Sequence, residues 1–514
     1  MSDRMHEVEL VEGVDEPEPT RPGAADDGAP ADGGGPSWIR RNVRRLAPIA
    51  ALAVLALVGT QLVVDARERA RLEALAAIPG VVPPTGPDIG VIWRADPALG
   101  RVLQTGASID GAVVGGKVSG TGTAAATVDL VAIDTDTGAV RWTTPVQLPA
   151  ADVTPGGGPA SPSVGCMSVT HAGRVLAACE AQQYGDGLVA TPDSATWVVD
   201  PSDGAVLDHS VVPGGAAIAF TDDALVVTHS IAPDSDEPAP SDAGSVRWRA
   251  TATDLVSGAT LWTYTTPVLD APVQVDGSGA ANASLQPIGD RIILGVDGHA
   301  WILGAGGTLE RDVPLQPGTW VQGVRSGVLA ESSYTSTGVY TDALLLPDGT
   351  SVPTDEIAGG LSVDDGSAPG VVFTVGSQPS GSAGLSGRDA TTGKVLWHRG
   401  EPVSAGLLLH GVLYLVADQS IEAVDATTGR TRWSTTLDFQ PQQLSTDGRY
   451  LLVPALATSL RAYKLSDGRL GWTKELRSEV AGDRSPVYIQ GFQAGIADPR
   501  LYVWMDDGAV AVLG

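Results

Sequence analysis

One eleven-residue phrase recurs through this chain and constrains its fold more than any other feature. Three copies keep an Asp, a Thr, a Gly and a Trp at fixed spacing: AIDTDTGAVRW (132–142), GRDATTGKVLW (387–397) and AVDATTGRTRW (423–433). Less complete copies occupy residues 198–208, 252–262, 302–310, 345–352 and 462–472. Neighbouring copies lie about 36 to 66 residues apart, a period that indicates a repeat architecture.

Each copy predicts two strands joined by a tight turn. An alternating apolar strand enters, and the Asp and Thr side chains close the turn by hydrogen bonds to the backbone. The Gly supplies the positive φ that such a turn requires, and the next strand ends on the Trp. One such unit cannot bury both faces of its own sheet, so it needs a neighbouring unit on either side.

Composition agrees with many short strands and excludes some partners and metal sites. The chain has 64 Gly, and its 12 Trp outnumber its 4 Phe. A net charge of -28 repels phosphate backbones, which makes nucleic acid a poor partner. Two cysteines form neither a disulfide framework nor a CxxC metal site, and the seven histidines lack zinc-ligand spacing.

The phrase A-x-D-x-x-T-G-x-x-x-W resembles the tryptophan-docking repeat of PQQ-like β-propellers, and the resemblance covers residues 91–514. It implies an all-β propeller of four-stranded blades. Nine segments are candidates for a third strand, two of them poor; eight blades is the predicted count, and seven and nine stay open. GVIWR at 90–94 supplies the fourth strand that the final segment, 501–514, lacks, so the termini are expected to close one blade.

The resemblance assigns structural docking roles to the turn aspartates, the turn glycines and the tryptophans. These residues are Trp93, Asp134, Gly138, Trp142, Gly258, Trp262, Asp389, Gly393, Trp397, Asp425, Gly429, Trp433, Gly468 and Trp472. Each Trp is expected to lie over the neighbouring blade.

The N-terminal part is predicted to be a tail, a membrane anchor and a stalk. Residues 1–37 carry ten carboxylates and are rich in Pro and Gly, which predicts a disordered acidic tail. Within 38–65, a basic flank precedes 19 residues without charge, 46–64, long enough for a transmembrane helix. A cleaved signal peptide and a buried core helix were the alternatives; the run is long for the first, no A-x-A site follows it, and no polar face marks the second.

Residues 66–90 read as a charged helical stalk followed by a Pro/Gly linker. Four arginines precede the span and three follow it, a slight asymmetry that favours a cytoplasmic N-terminus. Because this type of domain is usually exported, the propeller is expected outside the membrane.

No catalytic or cofactor motif was found. The resembled family includes quinoprotein dehydrogenases, which have a Cys-Cys ring and a calcium site of Glu, Asn and Asp. Neither pattern is present in this sequence. GxSxG, P-loop and HExxH motifs are also missing. The acidic pairs at 363–365 and 505–507 are interpreted as turns rather than calcium ligands. No catalytic, cofactor-binding or metal residue is therefore assigned.

The leading functional prediction is a non-enzymatic, membrane-tethered propeller that binds envelope proteins or a small ligand. A membrane-anchored quinoprotein oxidoreductase and an extracytoplasmic sensor remain as alternatives. Fold resemblance does not by itself specify function.

Cys166 and Cys179 are predicted to form a disulfide. The segment VGCMSVTHAGRVLAACEAQ has two strands around a turn. If the loop is Ala172 and Gly173 alone, the two cysteines pair directly across the hairpin at a non-hydrogen-bonded position, where the Cα atoms are closest. A three-residue loop would shift the register, and two buried free thiols are the alternative.

Overall fold

The computed structural model describes residues 78–514, together with residues 61, 70, 74 and 75. Within the long stretch, residues 121–126, 152–160, 185–191, 240–242, 270–282, 297, 317, 336–337, 355, 377–383, 456–458, 482–488 and 495–499 are left out. The chain divides into two compact units, residues 1–68 and residues 69–514, and the second unit contains the whole repeat region.

Thirty-six strands and two helices have their bounds within the described part of residues 78–514. The first strands are β1 (Val91–Ala95), β2 (Ala107–Ile109), β3 (Ala112–Ser119), β4 (Thr127–Asp134), β5 (Val140–Val146), β6 (Ser161–His171), β7 (Arg174–Tyr184), β8 (Ser194–Val199), β9 (Val206–Val212), β10 (Ala217–Phe220), β11 (Ala224–Ile231), β12 (Arg247–Asp254) and β13 (Thr260–Thr265). The middle strands are β14 (Ala283–Ile288), β15 (Arg291–Val296), β16 (His299–Leu303), β17 (Leu309–Pro314), β18 (Thr319–Arg325), β19 (Val328–Thr335), β20 (Gly338–Leu345), β21 (Ser351–Pro353), β22 (Glu356–Ala358), β23 (Val371–Gly376), β24 (Gly384–Asp389) and β25 (Val395–Arg399). The last strands are β26 (Val403–Leu409), β27 (Val412–Ala417), β28 (Ser420–Asp425), β29 (Thr431–Thr436), β30 (Ser445–Thr446), β31 (Tyr450–Ala455), β32 (Ser459–Lys464), β33 (Leu470–Glu475), β34 (Ile489–Ala494), β35 (Leu501–Met505) and β36 (Val510–Leu513). The helices are α1 (Pro97–Thr105), capped by the Asp96 carboxylate, and α2 (Arg477–Ala481).

These strands form nine antiparallel four-stranded sheets, the blades of an all-β propeller. Blades 1 to 8 each use four consecutive strands, starting with β2–β5 and ending with β30–β33, and blade 9 combines β34, β35 and β36 with β1. The fourth strand of a sheet is its outer strand, with largely exposed side chains as in β5, β29 and β33, and the first strand, at the opposite edge, is its inner strand. The count is nine, an alternative that the sequence left open, and not the predicted eight. The two poor segments, 302–310 and 345–352, are true turns of blades 4 and 5, at β16–β17 and β20–β21.

The chain ends close the ring in blade 9, as the sequence predicted. Strand β1 pairs antiparallel with β36, placing Val91 opposite Leu513 and Ala95 opposite Val510. Gly90 and Gly514 exchange backbone hydrogen bonds of 3.2 and 3.1 Å just beyond this pairing. Leu501–Met505 turns out to be the second strand of this blade and Val510–Leu513 the third, so the paired acids at 506–507 lie in the turn between them.

The hydrophobic core is divided into nine clusters of buried side chains, one between each pair of neighbouring blades. The cluster between blades 9 and 1, for example, joins Trp93, Tyr502 and Val512 to Val113 and Ile133. Because each sheet buries its two faces against two different neighbours, nine interfaces among nine blades describe a closed ring.

The predicted membrane span, residues 46–64, lies outside the described residues apart from Gln61, and the predicted tail lies outside them entirely. Among the described residues there is no helix with the length and hydropathy needed to cross a membrane.

Candidate functional site

The repeat aspartates close their turns, as their spacing predicted. Asp134 Oδ1 accepts hydrogen bonds from the backbone N–H and the hydroxyl of Thr137 at 2.9 and 2.8 Å. Asp134 Oδ2 accepts from Arg141 at 2.8 Å. The Arg141 hydrogen bond, followed by that of Thr137, lowers the pKa of Asp134 to about 2. Asp389 and Asp425 make the same turn with the Thr three residues later, so these carboxylates are occupied in structure.

The tryptophans dock on the next blade. The Trp93 indole N–H donates to the Thr135 carbonyl at 2.8 Å, and a Cβ placed on Gly138 would lie 2.6 Å from the Trp93 ring. The turn glycine is therefore required both for its φ of 71° and for the space that the ring occupies. The Trp397 ring packs over Gly429 in the same way. Further docked pairs are Trp142 on Gly204, Trp262 on Gly307 and Trp433 on Gly468.

Four of the nine blade junctions depart from this pattern. Asp208 replaces the Trp of blade 2, and Gly258 in the facing turn has no atom within 4 Å of a Cβ placed on it. At blade 4, Arg311 takes the place of the Trp and donates to the Leu346 and Gly349 carbonyls at 3.0 and 2.8 Å. At blade 5, Val352 covers Gly393 instead. At blade 8, Trp472 packs against the core shared with blade 9, where the chain ends replace a turn.

Cys166 and Cys179 face each other across β6 and β7, and their sulfurs are bonded. The hairpin loop consists of Ala172 and Gly173, both with positive φ, and His171 pairs with Arg174. This is the register predicted from the two-residue loop, with a Cα–Cα distance of 4.0 Å between the cysteines. Cys179 is buried against blade 1, so the bond lies on that face of blade 2.

The acidic pairs have partners from the protein. Asp364 Oδ2 lies 3.0 Å from Arg325 Nε, and Asp365 accepts a hydrogen bond from the His410 backbone N–H at 2.6 Å. Asp507 accepts from the Ala509 N–H at 2.9 Å within its turn. No group of three or more potential metal ligands occurs in the described part of the chain.

The predicted linker is packed against the propeller rather than extended away from it. Val81 and Val82 are buried at 1% and 2% exposure, and Ile89 at 3%. Val81 forms a parallel β-bridge with Thr446, on the inner strand of blade 8, and the Val82 N–H donates to the Thr446 carbonyl at 2.9 Å. Leu75, from the end of the predicted stalk, is also buried and contacts the turn at Gly448.

A second segment uses the inner edge of blade 7 in the same manner. Residues 359–370 link β22 to β23, and Asp364 within them forms a parallel bridge with Leu408. The Leu408 N–H donates to the Val363 carbonyl at 2.8 Å. Two extended segments of the chain are thus bound along inner strands of adjacent blades.

A groove of 510 Å³ opens between blades 7 and 8, beside the bound segment. Tyr414, Trp433 and Tyr450 contribute aromatic surface, and burial raises the pKa of Tyr414 to about 12. The groove also carries a cluster of cationic side chains, which is unusual in so acidic a chain, with the His410 imidazole beside them: Arg432, Arg449 and Lys464. Arg432 pairs with Asp425 and Arg449 with Asp447, whereas the Lys464 ammonium pairs with no described carboxylate.

Sequence reasoning missed both the bound segment and the groove. Two adjacent valines and an isoleucine inside a Pro/Gly stretch were the available signal for the former, because a free linker has no need of them. The groove has no signal in the sequence, since its basic side chains come from separate strands and turns in two blades.

Comparison with known proteins supports the resemblance to PQQ-like β-propellers. The model of the family described as outer membrane protein assembly factor BamB matches residues 342–448 and 417–513. Solved structures with similar folds include BamB from Moraxella catarrhalis, at 13% identity, covering 83% of this chain and 97% of that one, with a TM-score of 0.35. The computationally designed Ika8 protein has 13% identity, coverages of 85% and 99%, and a TM-score of 0.34.

The dihydro-heme d1 dehydrogenase NirN in complex with DHE is a further similar structure, with 14% identity, 79% coverage of each chain and a TM-score of 0.33. At these identities and TM-scores the structural likenesses carry no inference about function. No curated protein matches the sequence.

Proposed function

We propose that this chain, whose residues 342–513 match the family model of an outer membrane protein assembly factor, is a non-enzymatic binding or scaffold propeller. In this proposal residues 46–64 tether it to the membrane, with the N-terminus in the cytoplasm and the propeller outside. The matched family is named for an assembly factor of outer membrane proteins, which favours envelope proteins as the partners.

The observation that carries the proposal is the way the propeller holds its own residues 78–90. An extended peptide lies along the inner strand of blade 8, with a β-bridge at Val81 and apolar side chains inserted between blades. Beside it, Asp447 accepts a hydrogen bond from the Thr85 N–H at 3.0 Å. Backbone pairing combined with side-chain pockets is a general mode of peptide recognition. The fold therefore has the features needed to bind an extended segment of another protein.

The groove between blades 7 and 8 is the surface best suited to a partner. It adjoins the bound segment, and its guanidinium and ammonium groups can bind carboxylates of an acidic segment. The tether that leads to it is short, since only ten residues of sequence separate the end of the predicted span from Leu75.

Photo-crosslinking of the full-length chain in its own membranes tests the binding role. A photoreactive residue replaces the exposed Arg430, near the groove, and adducts are compared in Lys464→Glu and Lys394→Glu backgrounds. We expect discrete protein adducts that weaken with Lys464→Glu and persist with Lys394→Glu, an exposed lysine of blade 6. Absence of any adduct from this and other exposed positions of the propeller would refute the scaffold role.

Two further measurements address the tether and the non-enzymatic assignment. Protease added to intact cells, with any outer envelope opened, should digest the chain beyond residue 80 and spare the tail; the reverse result contradicts the orientation. Full-length protein titrated with PQQ and calcium should reduce no dye with alcohols or sugars. Calcium-dependent dye reduction would instead establish the oxidoreductase.

A further inference from the structure

The facing strands of blades 2 and 3 differ in length, and this difference opens a notch between the blades. Strand β6 has 11 residues and β7 has 11, whereas β10, the inner strand of blade 3, has only four. At about 3.3 Å per residue, blade 3 cannot cover the whole face that blade 2 presents. The buried cluster between the two blades accordingly occupies one end of the interface, with Val169, Leu176 and Phe220. Next to this cluster, with Phe220 between the two, a cavity of 310 Å³ remains.

One wall of the notch is a polar row along β7. Glu180, Gln182 and Tyr184 alternate along the strand, so their side chains share the face toward blade 3. Gln182 Nε2 donates to Glu180 Oε1 at 2.5 Å, and the Tyr184 hydroxyl donates to Gln182 Oε1. The remaining lining is mostly apolar and includes Met167, Ala178 and Phe220.

Open space lies directly opposite the carboxylate. Gly165 pairs with Glu180 across the hairpin, and a Cβ placed on Gly165 would have no atom within 4 Å. Its φ is not in the left-handed region, so a side chain is sterically allowed there. The absence of a side chain at this position keeps the notch open above Glu180.

The chemistry of the notch points to a cationic group on an apolar stem. Among the described residues that line it, Glu180 is the one carboxylate and none has a cationic side chain. Burial raises the pKa of Glu180, because the half-buried carboxylate loses part of its hydration. A cation would restore that loss, and the rings of Phe220 and Tyr184 add aromatic surface that attracts cations. The net charge of -28 attracts basic partners over longer distances.

We propose that the notch between blades 2 and 3 receives a lysine or arginine side chain of a partner protein, with Glu180 as the counter-ion. This rests on the proposed binding function and names the chemistry of one of its contacts. Met167 and Phe220 contact the aliphatic stem, while Gln182 and Tyr184 orient the carboxylate. The Cys166–Cys179 bond on the opposite face of the same hairpin holds β6 and β7 in register beneath the site.

The test uses full-length protein in nanodiscs and a photoreactive probe, a diazirine-bearing pentylamine, with adducts mapped by mass spectrometry. Competitors are Nα-acetyl-lysine methylamide, its Nε-acetylated neutral form, and butylamine. The variants are Glu180→Gln, Gly165→Leu and the control Glu401→Gln, an exposed glutamate in the connection between blades 6 and 7. Thermal unfolding of each variant confirms that it is folded, and Glu180→Gln keeps an oxygen for the Gln182 amide.

We expect adducts within residues 163–167 and 178–184 that the lysine amide removes and the acetylated form does not. Glu180→Gln should lower their yield by at least about tenfold, the size expected for losing a hydrogen bond between charged groups. Gly165→Leu should abolish them, and Glu401→Gln should leave them unchanged. Labelling should also weaken with acidification at a pH above the ordinary glutamate pKa of about 4.3. Glu180 and Tyr184 are the ionisable side chains among the described residues of the lining, and burial raises the pKa of Tyr184, so Glu180 governs this loss.

Adducts that survive Glu180→Gln, or that the neutral competitor removes equally, overturn the proposal. Competition by butylamine but not by the lysine amide means that the notch takes a free amine, which also overturns it. The scaffold role fails separately, on loss of all partner adducts from the wild-type propeller. If Glu180→Gln and Gly165→Leu leave the partner adducts in membranes intact, only the notch proposal fails.

Discussion

Replacing a docked turn glycine by alanine measures how closely the tryptophan of the neighbouring blade packs on the turn, as a loss in the free energy of unfolding. Gly429 and Gly258 occupy the same position of equivalent turns, with φ of 70° and 65°. They differ in their cover: a Cβ at position 429 would lie 2.6 Å from Trp397 Cγ, whereas at position 258 nothing lies within 4 Å. Gly429→Ala and Gly258→Ala therefore share the backbone cost and differ in the steric one.

The magnitudes follow from these two costs. A left-handed alanine costs about 1–2 kcal/mol, which is the whole expected effect of Gly258→Ala. At position 429 the added methyl group also displaces a ring that is 8% exposed and donates to the Ala426 carbonyl at 3.1 Å. Overpacking of this kind costs about 1–3 kcal/mol more, so Gly429→Ala should lower the free energy of unfolding by about 2–5 kcal/mol.

Denaturant unfolding of the full-length variants, followed by tryptophan fluorescence and circular dichroism, provides the comparison. Adding Trp397→Ala isolates the contact, because without the ring Gly429→Ala should cost only the backbone term. The double-mutant cycle should then give a coupling of about 1–3 kcal/mol. Equal destabilisation by Gly258→Ala and Gly429→Ala, with no coupling to Trp397→Ala, would show that the ring does not press on the turn.

Three other predictions concern separate parts of the chain. Neither Cys166 nor Cys179 should take up an alkylating agent before reduction, and the double serine variant should lose about 3 kcal/mol by loop-closure entropy; alkylation without reduction contradicts both the bond and the outside placement. The pKa of Asp134 is lowered to about 2 in the folded state, so its carboxylate stabilises the fold by about 1 kcal/mol after solvent screening. This stabilisation is present above pH ~4 and is lost as the pH falls through about 2. The difference in stability between wild type and Asp134→Asn should therefore vanish over that range, and a difference that stays constant contradicts the prediction. Val81→Asp should destabilise the protein by several kcal/mol in thermal unfolding whereas the exposed Pro84→Asp should not, and equal effects would mean that the segment is not packed as described.

The fold was largely predictable because its local and tertiary signals coincide. The Asp–Thr–Gly turn and the Trp that follows it define both a hairpin and a contact with the next blade, so one motif reports strand pairing and ring assembly together. The predicted number of blades was too low because blades 4 and 5 lack the docking Trp that accompanies the turn in most other blades. Blades 4 and 5 use Arg311 and Val352 for the docking that Trp performs elsewhere, and neither residue type is distinctive in a sequence.

The candidate sites were hidden from the sequence for a different reason. The notch depends on where β10 begins relative to β6, and the ends of strands are set by pairing and not by a residue pattern. Glu180 by itself is an ordinary polar residue in a strand. Its environment becomes distinctive only when Gly165 lies opposite and blade 3 stops short.

The two bound segments lie along inner strands, at edges that the blades themselves leave unpaired. A ring of nine leaves a wider central opening than a ring of eight, because the circumference of the inner strands grows with their number while each strand keeps its width. Inner strands then present unpaired N–H and C=O groups to a space that no other blade fills. Residues 78–82 pair with some of these groups on the inner strand of blade 8, and residues 359–370 pair with some on the inner strand of blade 7. An extended partner peptide can satisfy it on other blades by the same backbone pairing, which makes the inner edges, together with the notch and the groove, the surfaces where binding is most directly tested.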